Sequence, residues 1–276
     1  MKIAALQFKP EFGDIDGNIR RILESCDGVR ADLMVLPELC TTGYQFRDEK
    51  ELRSLARPAA GAWSHGMKEL AGMLGGYVVA GFAEKSSGQL YNSAALIGAD
   101  GVRGIYRKIH LYSAEKKIFQ PGNLGFRVFD AGGVSVGMMI CFDWIFPESA
   151  RCLALEGALI IAHSANLVLR YCQDAMVTRA VENRVFTITA NRIGDEERLK
   201  GQKYSFTGSS RMVGPDGSIL ADGPADAPAV LTAEIDSLAA GDKHITFLNH
   251  LFEDRREEEY GLLVDSKTID ASVDKQ

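Results

Sequence analysis

The sequence predicts an α/β (equally, an α+β) layered sandwich in which two sheets are faced by helices. Three observations carry this expectation. Two long strand signals, 77–84 and 89–98, are joined by Lys85-Ser86-Ser87-Gly88, as in an antiparallel hairpin. Short apolar runs such as Asp32-Leu33-Met34-Val35-Leu36-Pro37 alternate with amphipathic helical stretches, as buried strands do. No GxGxxG opens a helix after the first strand, which speaks against a singly wound dinucleotide-binding sheet.

Residues 2–8 predict the first strand. Asp14 or Asp16 caps a helix whose Ile19, Ile22, Leu23, Cys26 and Val29 recur at helical spacing. Residues 32–37 follow as a buried strand. Residues 63–74 predict a helix stopped by Gly75-Gly76, which leads into the hairpin. Residues 102–109 form another strand, before a loop containing Gln120-Pro121-Gly122-Asn123. Residues 126–130 and 134–141 pair around Ala131-Gly132-Gly133. Pro147 suits the first turn of a helix running to about Glu156, with Glu148 near its positive end. Residues 158–163 predict a strand, 171–184 a helix and 185–191 a strand. Gly214-Pro215-Asp216-Gly217 turns a hairpin within 209–220, and 229–235 is the last strand. With no Pro/Ser-rich linker, 1–276 is expected to form one domain. Its tail, 254–276, opens with the charge run Asp254 to Glu259, a solvated face or a subunit contact.

Composition narrows the function. Of 276 residues, 46% are apolar and 25% charged, as in an average soluble globular protein. Runs such as Leu159-Ile160-Ile161-Ala162 fall far short of the ~20 residues that span a bilayer, so no membrane partner is expected. A net charge of -6 leaves no basic footprint for nucleic acid. The five cysteines lack CxxC pairs and the histidines lack metal-ligand spacing, so neither a disulfide framework, a metal nor a cofactor is expected. Met1-Lys2-Ile3-Ala4-Ala5-Leu6 opens as a strand rather than a leader, which predicts a reducing cytoplasm.

Three strand signals end on reactive groups: Glu38, Lys108 and Cys141. Each alone has an ordinary explanation, as a turn acid, a solvated amine or a small core residue. Together, beyond the carboxyl ends of strands, they suggest a ligand site. Cys141 is followed by Phe142-Asp143-Trp144-Ile145-Phe146-Pro147, a sharp strand-to-helix exit, where the helix field would favour thiolate. An acid, an amine and a thiol can hydrolyse an amide or nitrile. Cys141 attacks, Glu38 carries the proton, and Lys108 with the Phe142 N–H stabilises the oxyanion. His163 offers an alternative Cys–His pair, although its apolar run suits a satisfied core histidine.

These residues lie in blocks that resemble the nitrilase superfamily of carbon–nitrogen hydrolases. The blocks are Leu36-Pro37-Glu38-Leu39 with Thr42-Gly43-Tyr44, then Tyr106-Arg107-Lys108-Ile109-His110-Leu111, then Ile140-Cys141-Phe142-Asp143 with Phe146-Pro147-Glu148-Ser149-Ala150-Arg151. The resemblance runs from Lys2 to about Asp236. Asp254-Arg255-Arg256 is similar to the archaeal-type nitrilase branch. It implies an α-β-β-α sandwich of two mixed sheets, a Glu38–Lys108–Cys141 triad, and pairing into a homodimer or higher oligomer through the helices near 147–157 and 171–184. It also implies that Glu115 orients Lys108; on its own Glu115 would pass as a loop charge.

Phe142, Trp144, Tyr44, Tyr112 and Asn166 are the expected substrate-binding residues. Family members that hold a carboxylate place arginines where this chain has Trp144 and Ile145. Nitrile-specific members carry Cys-Trp-Glu where this chain has Cys141-Phe142-Asp143. The expected reaction is therefore hydrolysis of small aliphatic amides or ω-carboxamides. Nitrile hydrolysis, N-carbamoyl hydrolysis and a non-catalytic scaffold are the alternatives, and a separate synthetase chain would be needed for a glutamine-fed role.

Overall fold

The computed structural model describes residues 1–264. In chain order the elements are β1 (Lys2–Gln7), α1 (Ile15–Ser25), β2 (Leu33–Val35), α2 (Glu49–Leu55), α3 (Ala62–Leu74), β3 (Tyr77–Ser86), β4 (Gln89–Gly98), β5 (Gly101–Arg107), β6 (Val128–Asp130) and β7 (Ser135–Ile140). There follow α4 (Pro147–Leu155), β8 (Ile160–Ser164), α5 (Cys172–Asn183), β9 (Phe186–Ala190), β10 (Ile193–Leu199), β11 (Gln202–Thr207), β12 (Arg211–Val213), β13 (Ile219–Asp222) and β14 (Ala229–Glu234). Single 3-10 turns span Ser113–Lys117 and Cys141–Ile145.

Two mixed six-stranded sheets result, ordered β14-β1-β2-β3-β4-β5 and β13-β12-β9-β8-β7-β6. Parallel pairs occupy the middle of each sheet (β1-β2-β3 and β7-β8-β9), and antiparallel strands close the edges. The sheets face one another, with α1 and α3 covering the first and α4 and α5 the second. This is the α-β-β-α sandwich. Central strands covered on both sides are largely apolar, and β2, β8 and β9 are wholly buried. Outside the first sheet, Ile22, Met67 and Leu70 pack with Trp63, which stacks on Phe82 at 4.1 Å between ring centroids. Each such large apolar side chain contributes about 1.5–3 kcal/mol on burial.

Local chemistry sets the element ends. Asp14, rather than Asp16, caps α1, accepting from the Gly17 N–H at 3.1 Å. α3 stops at Gly75, whose φ of +78° needs no Cβ-compatible geometry. Pro147 starts α4, where a missing N–H costs nothing.

The differences from the sequence reading have physical causes. The predicted strand 32–37 pairs only over 33–35, because the chain then peels away to present Glu38. The strand predicted over 102–109 ends at Arg107, which leaves Lys108 outside the sheet. α2 was not anticipated: it is short and polar, burying only Leu52, and relies on Asp48 accepting from Glu51 N–H at 2.8 Å. The β10–β11 hairpin was also missed, since Ile193-Gly194-Asp195-Glu196-Glu197-Arg198-Leu199 carries no apolar alternation and joins neither main sheet.

A second, short unit begins at Lys243 and opens with an antiparallel pair, β15 (His244–Thr246) and β16 (Asn249–His250). Of the tail anticipated over 254–276, residues 265–276 lie outside the described residues. Among the described residues, no helix is long and apolar enough to cross a membrane.

Candidate active site

Glu38, Lys108 and Cys141 each follow the end of a strand: β2, β5 and β7. The turns that carry Glu38, Cys141 and the nearby Glu115 are strained. Leu39 (φ +48°), Ser113 (φ +49°) and Cys141 (φ +41°) are non-glycine residues in the left-handed region. Such a conformation costs about 1–3 kcal/mol per residue and persists only where the surroundings impose it.

Asp143 supplies part of that imposition. Its buried carboxylate accepts from the Ile140 N–H (2.9 Å), the Tyr106 hydroxyl (2.7 Å) and the His110 N–H (3.1 Å). One side chain thus ties the Cys141 turn to the Lys108 segment. On the other side, the Asn166 amide donates to the Glu38 carbonyl at 2.9 Å, and the Cys141 thiol lies 3.7 Å from the Asn166 carbonyl. Gly81 completes the support. A Cβ built there would lie 2.6 Å from Glu38 Cα and 2.7 Å from the Pro37 carbonyl oxygen. Gly81→Ala should therefore push the Glu38 turn away, costing about 1–3 kcal/mol of stability and lowering turnover. Denaturant melts and initial rates on the same preparation check both effects.

The charged groups form one buried network. Lys108 Nζ donates to Glu38 Oε1 at 2.8 Å and to Glu115 at 2.8 Å, with all three side chains shielded from solvent. Asn92 also donates to Glu38 Oε1, at 2.6 Å. Glu38 Oε2 is buried and has no hydrogen-bond partner among the described residues. Glu115 further accepts from the Tyr44 hydroxyl at 2.7 Å and the Tyr112 N–H at 3.0 Å.

Burial pushes the Glu38 pKa above its ordinary 4.5, outweighing the pull of Lys108. Burial works against the Lys108 charge, but the Glu115 and Glu38 carboxylates outweigh it and hold the ammonium above its usual range. Burial, and then the Glu38 charge, push the Cys141 thiol well up despite Lys108. This corrects the expectation of a thiolate favoured by the helix at Pro147. A 3-10 turn separates Cys141 from α4, and desolvation beside carboxylates dominates. The resting site therefore holds a neutral thiol beside an ammonium.

His163 does not serve the thiol. Its Nε2 donates to the Cys141 carbonyl at 3.0 Å and its Nδ1 accepts from the Thr189 hydroxyl at 3.1 Å. Burial lowers its pKa to about 4, so it is neutral.

The structure gathers Tyr112, Phe142, Trp144 and Asn166 around Cys141. With Leu167, Val168 and Leu169 they line a narrow cavity. Tyr44 stands apart, lining a second cavity with Gln45, Phe46, Glu115 and Tyr204. Asn92 was not singled out in the sequence, and Tyr106 and Asp143, although inside the resembling blocks, were given no role there. The available signals were an Asn inside an otherwise apolar strand and an acid two residues after the thiol.

A neutral thiol beside a buried, doubly held ammonium at the strand ends of an α-β-β-α sandwich is an arrangement suited to cysteine-type hydrolysis. The chain belongs to the carbon-nitrogen hydrolase family, whose model matches residues 2–243. It is 45% identical over 264 residues to the nitrilase of Pyrococcus abyssi, covering 94% of this chain and 99% of that one. It is 32% identical over 263 residues to the (R)-stereoselective amidase of a Pseudomonas species, covering 93% and 92%. In structure it resembles the carbon-nitrogen hydrolase from Helicobacter pylori G27, with a TM-score of 0.83 at 26% identity over 96% of this chain and 99% of that one. The protein is thus a carbon–nitrogen hydrolase of the nitrilase superfamily.

Proposed function

We propose that the protein is an amidase that converts small, uncharged aliphatic amides to carboxylic acid and ammonia through a thioester on Cys141. The observation that carries this is the asymmetry of Glu38. Its Oε1 is fixed by Lys108 and Asn92, while its buried Oε2 is unpartnered. A carboxylate held in this way, with a raised proton affinity, is suited to take a proton and return it.

In the first step Cys141 Sγ bonds to the amide carbon as its proton passes to Glu38. Lys108 and the Phe142 N–H face the negative oxygen. The C–N bond then breaks, Glu38 protonates the nitrogen, and ammonia leaves a thioester. In the second step water attacks, giving a proton to Glu38. The C–S bond breaks and the proton returns to sulfur, releasing the acid. Glu115, held by Tyr44 and Tyr112, orients Lys108.

Amides are favoured over nitriles by Asn166. Its amide group must face the Glu38 carbonyl, and its Oδ1 is buried without a partner among the described residues while the residue lines the cavity. An amide NH2 can donate to that oxygen and a nitrile cannot. The cavity lining carries no charged side chain, which gives a carboxylate or ammonium substituent no counter-charge. The name of the 45% identical relative speaks for the nitrile reading. Ammonia release from paired amides, nitriles and carbamoyl compounds of equal chain length tests the choice. Faster turnover of nitriles than of their amides would reject the amidase reading. Capture of an acyl hydroxamate with hydroxylamine reports the thioester.

A pH profile follows from the same group. Glu38 must be ionised to act as base, and its pKa lies above 4.5. The acid limb of kcat/KM should therefore fall above pH 4.5, with activity lost as pH drops through it. Glu38→Gln should remove the limb with a loss of about 100- to 10,000-fold.

Pairing through α4 and α5 in the cytoplasm is part of the same proposal. Leu155, Tyr171 and Val181 on or beside these helices are exposed, which supports a covered face. Light scattering that gives a monomer at all concentrations would reject it.

A further inference from the structure

We infer that Glu196, with Arg192, is a positioning residue for the Lys108–Glu115 pair and acts through Tyr44. The inference rests on the site roles proposed above. Glu196 belongs to β10, in the hairpin outside both main sheets, and its buried carboxylate turns to the segment that follows Glu38. It accepts from the Tyr44 N–H at 3.2 Å and from the Gln45 N–H at 3.0 Å. Arg192 Nη1 donates to it at 2.7 Å. The guanidinium is fully buried and lies 4.0 Å from the centroid of the Phe206 ring. Phe206 and Tyr204, both on β11, meet the Tyr44 ring edge-on at 5.9 and 5.4 Å. The hairpin therefore fixes the backbone of Tyr44 by charge-assisted hydrogen bonds and its ring by aromatic contacts. The phenol, so fixed, donates to Glu115 at 2.7 Å, and Glu115 holds Lys108.

The energetics favour a geometric role over a stabilising one. A buried ion pair gains little over an apolar pair of the same shape, because both ions lose their water. Burial lowers the Arg192 pKa, the mark of that cost. What the pair does provide is two strong, directed acceptor bonds to one dipeptide. Small displacements of groups near the reacting centre cost rate steeply. Tyr44 does not line the cavity at Cys141, so its displacement should change kcat and leave KM unchanged.

The test is a double-mutant cycle on Glu196→Ala and Tyr44→Phe in the full chain, with Cys141→Ala alongside. Each single variant should lose about 10- to 100-fold in kcat with KM within about two-fold of the parent. The double variant should be no slower than the slower single, because both remove one support of Glu115. Glu196→Gln keeps an acceptor for the Tyr44 and Gln45 N–H groups and should recover part of the loss. If the alanine variant does not fold, the same cycle is run with Glu196→Gln. Losses that multiply, or a raised KM at unchanged kcat, would overturn the inference. Turnover surviving in Cys141→Ala would instead overturn the site reading beneath it, so the two failures are distinguishable.

Discussion

Cys141→Ala should release no ammonia from any substrate that the parent hydrolyses, and should fold as the parent does. The thiol is the only group at the end of β7 that can bond to carbon, and nothing else in the network replaces it. Its neighbours are two carboxylates, an ammonium and backbone groups, none of which is a comparable nucleophile at neutral pH. The loss should exceed the effect of removing a proton carrier, since without the bond to sulfur no thioester forms. Stability should change little or rise, because burial already disfavours the thiol's charge and Ala suits the left-handed turn no worse than Cys. His163→Asn is the informative companion. If His163 were the base, its loss would cost about 100- to 10,000-fold in turnover. The structure turns both ring nitrogens to backbone and hydroxyl partners, so the variant should keep the larger part of its turnover and lose stability. A loss of that size in His163→Asn would reinstate a Cys–His pair.

The comparison between sequence and structure separates two kinds of information. The strand ends that carry Glu38, Lys108 and Cys141 were legible because an apolar run that stops at a polar residue is a one-dimensional signal. Glu115 was legible only by resemblance. Its role depends on a chain reversal that brings a residue seven positions past Lys108 back onto the Lys108 ammonium, and no periodicity records that. Asn92 and Asp143 were present in the sequence as polar residues in or beside apolar strands, yet their partners lie 54 and 37 positions away. The β10–β11 hairpin was invisible for a related reason. The charged residues of β10 satisfy one another and the 44–45 segment, so β10 has no apolar face to betray it. The thiol's ionisation was misjudged because helix field is a local property and burial is not.

Lys108→Met should destroy turnover and destabilise the fold, and the two effects should part company on a second substitution. Lys108 is the cation shared by Glu38 and Glu115. Removing one partner of a buried pair leaves uncompensated charge and costs about 3–5 kcal/mol. In the variant the folded-state pKa of Glu38, already raised by burial, rises further above its unfolded value, since the ammonium no longer favours its charged form. A group with a raised folded pKa stabilises the fold below its unfolded pKa, and that contribution is lost as pH rises through the folded pKa. The melting midpoint of Lys108→Met should therefore fall as the pH is raised from 5 to 8, relative to the parent (the sign opposite to that of an ordinary salt-bridged acid). Adding Glu38→Gln removes one of the two stranded charges while keeping its hydrogen-bonding atoms, including an acceptor for Asn92. The double variant should recover part of the lost stability and none of the lost rate. Recovery of activity with stability would mean that Lys108 serves the fold alone. A Lys108→Met enzyme that melts like the parent at pH 8 would mean that no charge on Glu38 is left stranded when the ammonium is removed.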